Sequence, residues 1–534
     1  MRRLGPLVLC AALLSAALPA AALAAPGDGG VRESAGAPRP LDRVVPAPAS
    51  VRQGGPGFSV GERTPIRVSG DSAAARRAGE QLAALLRPST GYRLPVTSRP
   101  GPDGIRLRLT RGGAERARLG DEGYRLAVDR RSVDIAAPTG AGLFHGVQTL
   151  RQLLPAEAEA RSKRPGPWRV AGGTITDRPR YPYRGAMLDV SRHFLEADQV
   201  KRYIDHLALY KVNKLHLHLS DDQGWRIALD SWPRLASYGG STEVGGGKGG
   251  YYTKSQYREI VRYAAERHLT VVPEIDMPGH TNAALASYAA LNCDGKAPPL
   301  YTGTEVGFSS LCVKKEITYD FVDDVVREIA ALTPGRYLHI GGDEAHATSH
   351  EDYAAFMARA QRTVRKYGKT VVGWHQITGA EPVKGAVAQY WGTTGKEKEV
   401  VDAAKRGTRL ILSPANRAYM DMKYNKDTPY GLSWAGYVEA RQSYDWDPGS
   451  YVQGAPGEAV LGVEAPMWTE TLERNDQIDY MAFPRLPGIA ELGWSRADRT
   501  GWDDYRQRIA EQAPRWEELG ITYYRSPEIP WSGQ

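Results

Sequence analysis

The residues of this chain best suited to chemistry lie at the end of Tyr337 to Glu344, YLHIGGDE. Leu338 and Ile340 alternate with His339 and Gly341 as in a short buried strand, and two glycines then let the backbone bend where Asp343 and Glu344 arrive. Neither glycine fills space, and acids are costly to bury unpaired, so packing explains the run poorly. An arbitrary Asp-Glu pair would read as a solvated turn. Paired carboxylates are also the material of general acid–base catalysis, and the surroundings decide between the two readings.

The elements that would position this pair occupy most of the chain. From Tyr183 onward, short apolar strands are expected at Gly185–Val190, Lys214–Leu219, Thr270–Ile275, Tyr337–Ile340, Thr370–Gly373, Ala386–Tyr390, Arg409–Leu412 and Val460–Glu464. Helical patterns follow most of them, at Ala197–Tyr210, Thr253–His268, Tyr319–Leu332, Asp352–Tyr367 and Lys396–Arg406. Repeated strand-then-helix units predict an α/β fold, a (β/α)8 TIM barrel. A doubly wound open sheet would more often carry a Gly-rich phosphate loop after an early strand. The glycine cluster Gly245 to Gly250 lacks Ser or Thr after Lys248 and reads as a flexible loop.

Ahead of the barrel, strand-like stretches at Gly61–Ser69 and Ile105–Thr110, a hairpin of Gly123–Val128 with Ser132–Ala137, and a helix at Ser72–Leu86 predict a smaller α+β domain. Ala141–Leu154 reads as an amphipathic helix closing that domain, with His145 structural. The expected organisation is a signal peptide over 1–24, a disordered linker over 25–40, the α+β domain over 41–178 and a catalytic barrel with a C-terminal helix over 179–534.

In a barrel, residues just past the C-terminal strand ends converge on one site. Here they are Ser191-Arg192-His193, Asp221-Asp222, Asp276 with His280, Asp343-Glu344, Trp374, Trp391, Tyr419 with Asp421, and Trp468 with Glu470. A bowl of carboxylates, one arginine and several tryptophans suits a sugar, whose C–H faces pack on indole while its hydroxyls need charged partners. A single Trp is more often core; three at strand ends in the same half of the barrel favour a ligand wall.

HIGGDE together with MLDVSRHF, HLHLSDDQGWR, PEIDMPGH, GWH, QYWG and APMWTE resembles glycoside hydrolase family 20, the β-N-acetylhexosaminidases, and especially its secreted bacterial members. The likeness runs from about Leu41 to the C-terminus. It implies exo-acting, retaining hydrolysis in which the sugar's own 2-acetamido oxygen attacks the anomeric carbon, an exception to the two-carboxylate rule. By resemblance Glu344 is the acid and base, Asp343 accepts from the acetamido N–H, and Tyr419 donates to the acetamido oxygen. Trp374, Trp391 and Trp468 match the acetamide pocket walls, Arg192 the grip on the 3- and 4-hydroxyls, Glu470 and Asp421 the 4- and 6-hydroxyl side, and Trp434 the platform for the next sugar. Asp221, Asp276 and His280 resemble supporting residues that hold and tune the acid pair. No cofactor or metal is implied.

Other classes compete. His216 and His218 share a strand face, and H-x-H with acids nearby also resembles metal-dependent amidohydrolases, although both precede the strand end. A non-catalytic sugar-binding protein would keep the tryptophans without needing Glu344 beside Asp343. Family 18 chitinases carry a D-x-x-D-x-D-x-E run that is not found here.

At 534 residues the chain is too long for one ordinary core, and 42% hydrophobic residues is normal for a folded soluble protein. Arg2, Arg3, the apolar run Leu4 to Ala22 and Ala22-Leu23-Ala24 read as a secretory signal peptide, so the expected location is extracellular. The formal charge of +8 falls by two without that segment and includes no basic run interleaved with aromatics, which argues against nucleic acid. Nothing later is apolar enough to span a membrane. In an oxidising compartment Cys293 and Cys312 are expected to form a disulfide contributing roughly 3 kcal/mol, two free buried thiols being the alternative. The expected partner is an oligosaccharide or glycoconjugate, met by a monomer.

Overall fold

The computed structural model describes residues 37–70, 72–110 and 112–531. The expected signal peptide and most of the expected linker lie outside the described residues; 37–40 have no regular structure, and Leu41 is already fully buried.

The N-terminal domain is a seven-stranded mixed sheet in the order Ser50–Gln53, Gly173–Asp177, Tyr124–Val128, Ser132–Ala137, Gly104–Leu109, Ile66–Val68, Val96–Thr97. Tyr124–Val128 and Ser132–Ala137 form the expected antiparallel hairpin. Helices α1 (Ala73–Thr90) and α2 (Gly140–Leu153) lie against the sheet and each other. α2 departs from the amphipathic expectation: Gly142 to Leu150 is buried on every side. The helix is pressed between this domain and the barrel, so its polar side chains are buried and must bond. Gln152 Nε2 donates to Val45 O at 2.6 Å and to Leu209 O at 3.3 Å while its Oε1 accepts from Val45 N at 2.9 Å. His145 Nε2 lies 3.2 Å from Glu122 Oε1, in keeping with a structural histidine.

Buried charge along this seam is paired. Glu122 accepts from Arg184 Nη1 at 3.2 Å and Nη2 at 2.5 Å; Asp177 Oδ2 accepts from Tyr124 Oη at 2.8 Å and Trp494 Nε1 at 3.0 Å, with Lys211 Nζ 3.5 Å away. On the helix Arg485–Trp494, which follows the barrel's last strand, Glu491 takes both Nη1 and Nη2 of Arg508 at 2.7 Å, plus Tyr444 Oη and the Ala47 amide.

Eight parallel strands close the barrel: β1 (Tyr183–Asp189), β2 (Lys214–His218), β3 (Thr270–Glu274), β4 (Tyr337–His339), β5 (Thr370–Trp374), β6 (Val387–Tyr390), β7 (Arg409–Leu412) and β8 (Val460–Ala465). All lie within two residues of their expected bounds. Both faces of such a sheet are covered, which is why the strands read as continuous apolar runs. Outward residues such as Leu215, Leu217, Val271, Leu338 and Val371 share one core with Ile204 and Leu207 of α3 (Ala197–Leu209), Ile260 of α4 (Lys254–Glu266), Val325 and Ile329 of α5 (Glu316–Leu332), and Phe356 and Val364 of α6 (His350–Lys366). Each fully buried side chain of this kind contributes about 1.5–3 kcal/mol. The sequence also places the helix starts: Thr253 and Gln256 form a reciprocal capping box at α4, and Ser349 accepts from Asp352 N at α6. β5 is followed by a 3-10 segment, His375–Ala380, rather than a full helix.

Inside the barrel Tyr183, Val272, Tyr337, Val372, Val387, Ile411 and Leu461 make an apolar plug. Toward the C-terminal strand ends follows a polar layer, His216, Glu274, His339, Gln389 and Glu464, with no exposed surface. Gly185 makes room for it, since a Cβ there would come 2.3 Å from Glu464 Oε2.

Candidate active site

β4 ends at His339, and the two glycines after it do different work from packing. Gly341 and Gly342 have φ of 63° and 99°, and a Cβ on Gly341 would sit 1.6 Å from Asp276 Oδ1. Only glycine lets the chain cross Asp276 there. Gly342 N donates to Asp276 Oδ1 at 3.0 Å, and Tyr353 Oη donates to Gly342 O at 2.6 Å, which pins the turn. Glu344 itself has φ 42°, a left-handed backbone that costs about 1–3 kcal/mol in a non-glycine residue. The turn delivers Asp343, buried, and Glu344, partly exposed, to one wall of a cavity of about 320 Å³.

That cavity is lined by Arg192, His280, Asp343, Glu344, Trp391, Tyr419, Asp421, Trp434, Trp468 and Glu470, all expected from the sequence, and by Thr304, Val306 and Leu432, which were not. Trp374, expected as a wall, has no exposed surface and stands behind Trp468, ring centroids 5.7 Å apart. Trp391 and Tyr419 each present an edge to Trp434 at 5.9 Å, and Trp434 remains 55% exposed at the rim. Cys293 and Cys312 are bonded, closing the loop that carries Thr304 and Val306.

Arg192 is held before any ligand arrives. Asp189 Oδ2 lies 3.4 Å from its Nη1, Asp221 Oδ2 2.9 Å from its Nη2, and the guanidinium packs 4.7 Å over Trp468. Asp189 also accepts from the amides of Ser191, Arg192 and Thr469, tying the β1 and β8 ends together. His280, φ 56°, places Nδ1 3.1 Å from Asp221 Oδ1 and Nε2 3.4 Å from Glu344 Oε2 and 3.8 Å from Asp343 Oδ2. Burial opposes charge on His280, but Asp221 and Asp343 hold its pKa well above the usual histidine range.

The carboxyls behave unlike surface acids. Burial, then the charge of Asp343, pushes Asp276 well up. Burial also raises Asp343, with His280 pulling the other way and Glu344 adding to the rise. Asp421 is pushed well up by burial and by Glu470, and burial raises Glu470 against the pull of Arg192. Asp343 Oδ1, both Asp421 oxygens and Glu470 Oε2 are buried without a hydrogen-bond partner. Burial, then Asp343 and Asp421, lifts the Tyr419 hydroxyl well above its ordinary value, so it stays a donor. The arrangement offers a proton carrier beside a buried carboxylate, a phenol donor, an arginine and two further acids for hydroxyl groups, and an indole wall.

Sequence reasoning missed the polar layer beneath. Glu274 and Glu464 lie between and beside His216 and His218, and His339 Nδ1 is 2.9 Å from Glu274 Oε1. His216, Glu274 and His339 converge closely enough for a cation, as do Asp221, Asp222 and His280. Both nitrogens of His216 and of His218 nonetheless already face carboxylate oxygens, which leaves them no lone pair for a metal. The available signal was H-x-H facing a Glu at the end of the next strand, a pairing that needs the register His216↔Val272 and His218↔Glu274.

Comparison with known proteins identifies the family. A family model described as "Glycosyl hydrolase family 20, catalytic domain" matches residues 181–355 and 347–497, and "Glycosyl hydrolase family 20, domain 2" matches 42–178. The β-N-acetylhexosaminidase of Cellulomonas fimi is 43% identical over 494 residues, 92% of this chain and 97% of that protein. Among solved structures, the GH20 β-N-acetylhexosaminidase from Streptomyces coelicolor A3(2) is 69% identical with a TM-score of 0.91, covering 93% of this chain and 100% of that one. A mutant Streptomyces plicatus β-hexosaminidase in complex with product (GlcNAc) has the same identity and TM-score over 93% and 99% of the two chains.

Proposed function

The chain belongs to glycosyl hydrolase family 20, and on that footing we propose that Glu344, Asp343 and Tyr419 carry its reaction. The reaction is exo-acting hydrolysis of terminal non-reducing β-linked N-acetylglucosamine or N-acetylgalactosamine with retention, the substrate supplying the nucleophile. The acetamido oxygen forms a bond to the anomeric carbon as Glu344 gives its proton to the departing glycosidic oxygen. Asp343 accepts from the acetamido N–H and stabilises the charge of the oxazolinium ion; Tyr419 donates to the acetamido oxygen and aims it. Glu344 then takes a proton from water, which opens the ring and restores the original anomeric configuration. Holding the internal nucleophile in line contributes roughly 7–11 kcal/mol. Arg192, Asp421 and Glu470 grip the sugar hydroxyls, Trp391 and Trp468 wall the pocket with Trp374 behind them, and Trp434 stacks on the leaving sugar. Asp221, Asp276 and His280 orient the acid pair.

One observation carries this reading. Asp343 and Glu344 leave a single turn on one wall, whereas an enzyme with its own nucleophile sets two carboxyls about 5 Å apart across the sugar. The test is a rate profile over aryl N-acetylglucosaminides, N-acetylgalactosaminides and unacetylated glucosides. Only the acetamido sugars should react; glucosides cleaved at the same rate, or a sugar found bonded to a side chain during turnover, overturn it.

The finer reading is of a secreted, extracellular bacterial enzyme working as a monomer on chitin fragments or glycan arms, without nucleic acid, membrane or cofactor. Supporting the secreted location are the leader-like first 24 residues and the disulfide. Among the described residues no helix is long and apolar enough to cross a membrane. Mass spectrometry of the mature N-terminus from the culture medium tests it, and full-length enzyme retained inside cells would sink it.

A further inference from the structure

An unbroken line of side-chain hydrogen bonds crosses the barrel interior beneath the site. Glu464 Oε1 lies 2.8 Å from His216 Nδ1, Glu274 Oε2 lies 2.9 Å from His216 Nε2 and 2.5 Å from His218 Nδ1, and His218 Nε2 lies 2.7 Å from Asp221 Oδ2. Asp221 continues to His280 Nδ1, whose Nε2 faces Glu344. Ionised carboxylates only accept hydrogen bonds, so His216 and His218, with a carboxylate oxygen at each nitrogen, must donate twice. Only an imidazolium does that. The line therefore alternates in sign from Glu464 to Asp221, within a layer that has no exposed surface up to His218.

We propose that His218 and Glu274 are positioning residues of the hydrolysis, whose opposite fixed charges in the barrel core set the orientation of Asp221 and His280 and the pH range in which the acid pair works. The proposal rests on the roles given to Glu344 and Asp343 above. Asp221 Oδ2 is shared between His218 and Arg192, and Oδ1 between His280 and the Asp222 amide, 2.6 Å away. Without His218 that carboxylate would be held by Arg192 and the Asp222 amide and would tilt toward Arg192, shifting the aim of His280 Nε2 at Glu344. The other titratable neighbours are few. Glu274 also faces His339; His218 also faces Asp276; His280 also faces Asp222 at 4.0 Å; and Glu464 accepts from Tyr183 Oη at 2.6 Å. Gln389 Nε2, uncharged, takes the second contact to Glu464 Oε1 at 2.7 Å.

The test is kcat/KM against pH on an aryl N-acetylglucosaminide. His218→Gln removes a positive charge and should move both limbs up by roughly half to one pH unit, and Glu274→Gln should move them down by a similar amount. The double variant should return them toward their wild-type positions. Shifts in the same direction for the two single variants, or unmoved limbs under a lowered kcat, overturn the proposal and leave a packing role. Should neither variant fold, nitrogen-15 spectra of the wild-type enzyme decide: at least two of its 11 histidines should stay doubly protonated at pH 8, and fewer than two doing so overturns the proposal. Failure of the hydrolytic reading itself would look different, as cleavage of unacetylated glucosides by the wild-type enzyme.

Discussion

At the seam between the N-terminal domain and the barrel, and at the barrel's opposite end, charged side chains are buried to a similar depth but treated differently. Glu491, Glu122 and Asp177 each meet donors that use up their oxygens, including Arg508 and Arg184. Asp343, Asp421 and Glu470 keep buried oxygens without a partner. A buried acceptor left unpaired costs about 1–3 kcal/mol, so the second arrangement opposes folding. The difference separates charge that holds two domains together from carboxyls left open beside the cavity.

The largest effect that could break this comparison is catalytic. Glu344→Gln should lower kcat/KM on substrates with poor leaving groups by about 10²–10⁴ while leaving the melting temperature unchanged. A variant that keeps its activity would show that the open end is not where protons are handled. At the seam the effect should move from rate to stability. Glu491→Gln strands part of the Arg508 guanidinium and should cost about 3–5 kcal/mol in denaturant unfolding, with kcat/KM of the folded enzyme unaltered.

His216 lies between the two regions and provides a pH test. Burial lowers its pKa, but Glu464 and Glu274 outweigh that and raise it from 6.5 to about 9. A raised folded-state value means the stabilisation is complete below the unfolded pKa near 6.5 and is lost as pH rises through about 9, a loss of roughly 3 kcal/mol. Thermal unfolding followed from pH 6.5 to 9.5 should show this decline, and His216→Gln should flatten it. The smallest effect has the opposite sign: Asp421→Asn replaces a carboxyl whose charged form burial and Glu470 oppose, and should stabilise the fold by about 1 kcal/mol while raising KM. If it destabilised instead, Asp421 would have to be grouped with the seam.

The barrel was legible because its strands are buried on both faces and separated by capped helices, so apolar run length and cap residues sufficed for β1 to β8. The acid turn was legible because Gly341 and Gly342 have no packing purpose in sequence. What stayed hidden depended on contacts between distant segments. Glu274 and Glu464 look like the polar ends of two unrelated strands until register sets them either side of His216. Thr304, Val306 and Leu432 come from loops whose path no periodicity encodes. The polar positions of α2 looked solvent-facing because a helix sequence does not say that a second domain covers it. Trp374 ended a strand as its fellow tryptophans did, but inward depth along the barrel axis, invisible in sequence, put it a layer below them.

The left-handed backbone at Glu344 fixes the point in space from which that side chain sets out, whichever acid occupies the position. In the role proposed for Glu344, aspartate there would begin from the same spot and fall one carbon–carbon bond short of the bridging oxygen. Arm length, more than acid strength, is thus the property this residue brings, and Glu344→Asp should be nearly as crippled as an amide despite keeping its proton.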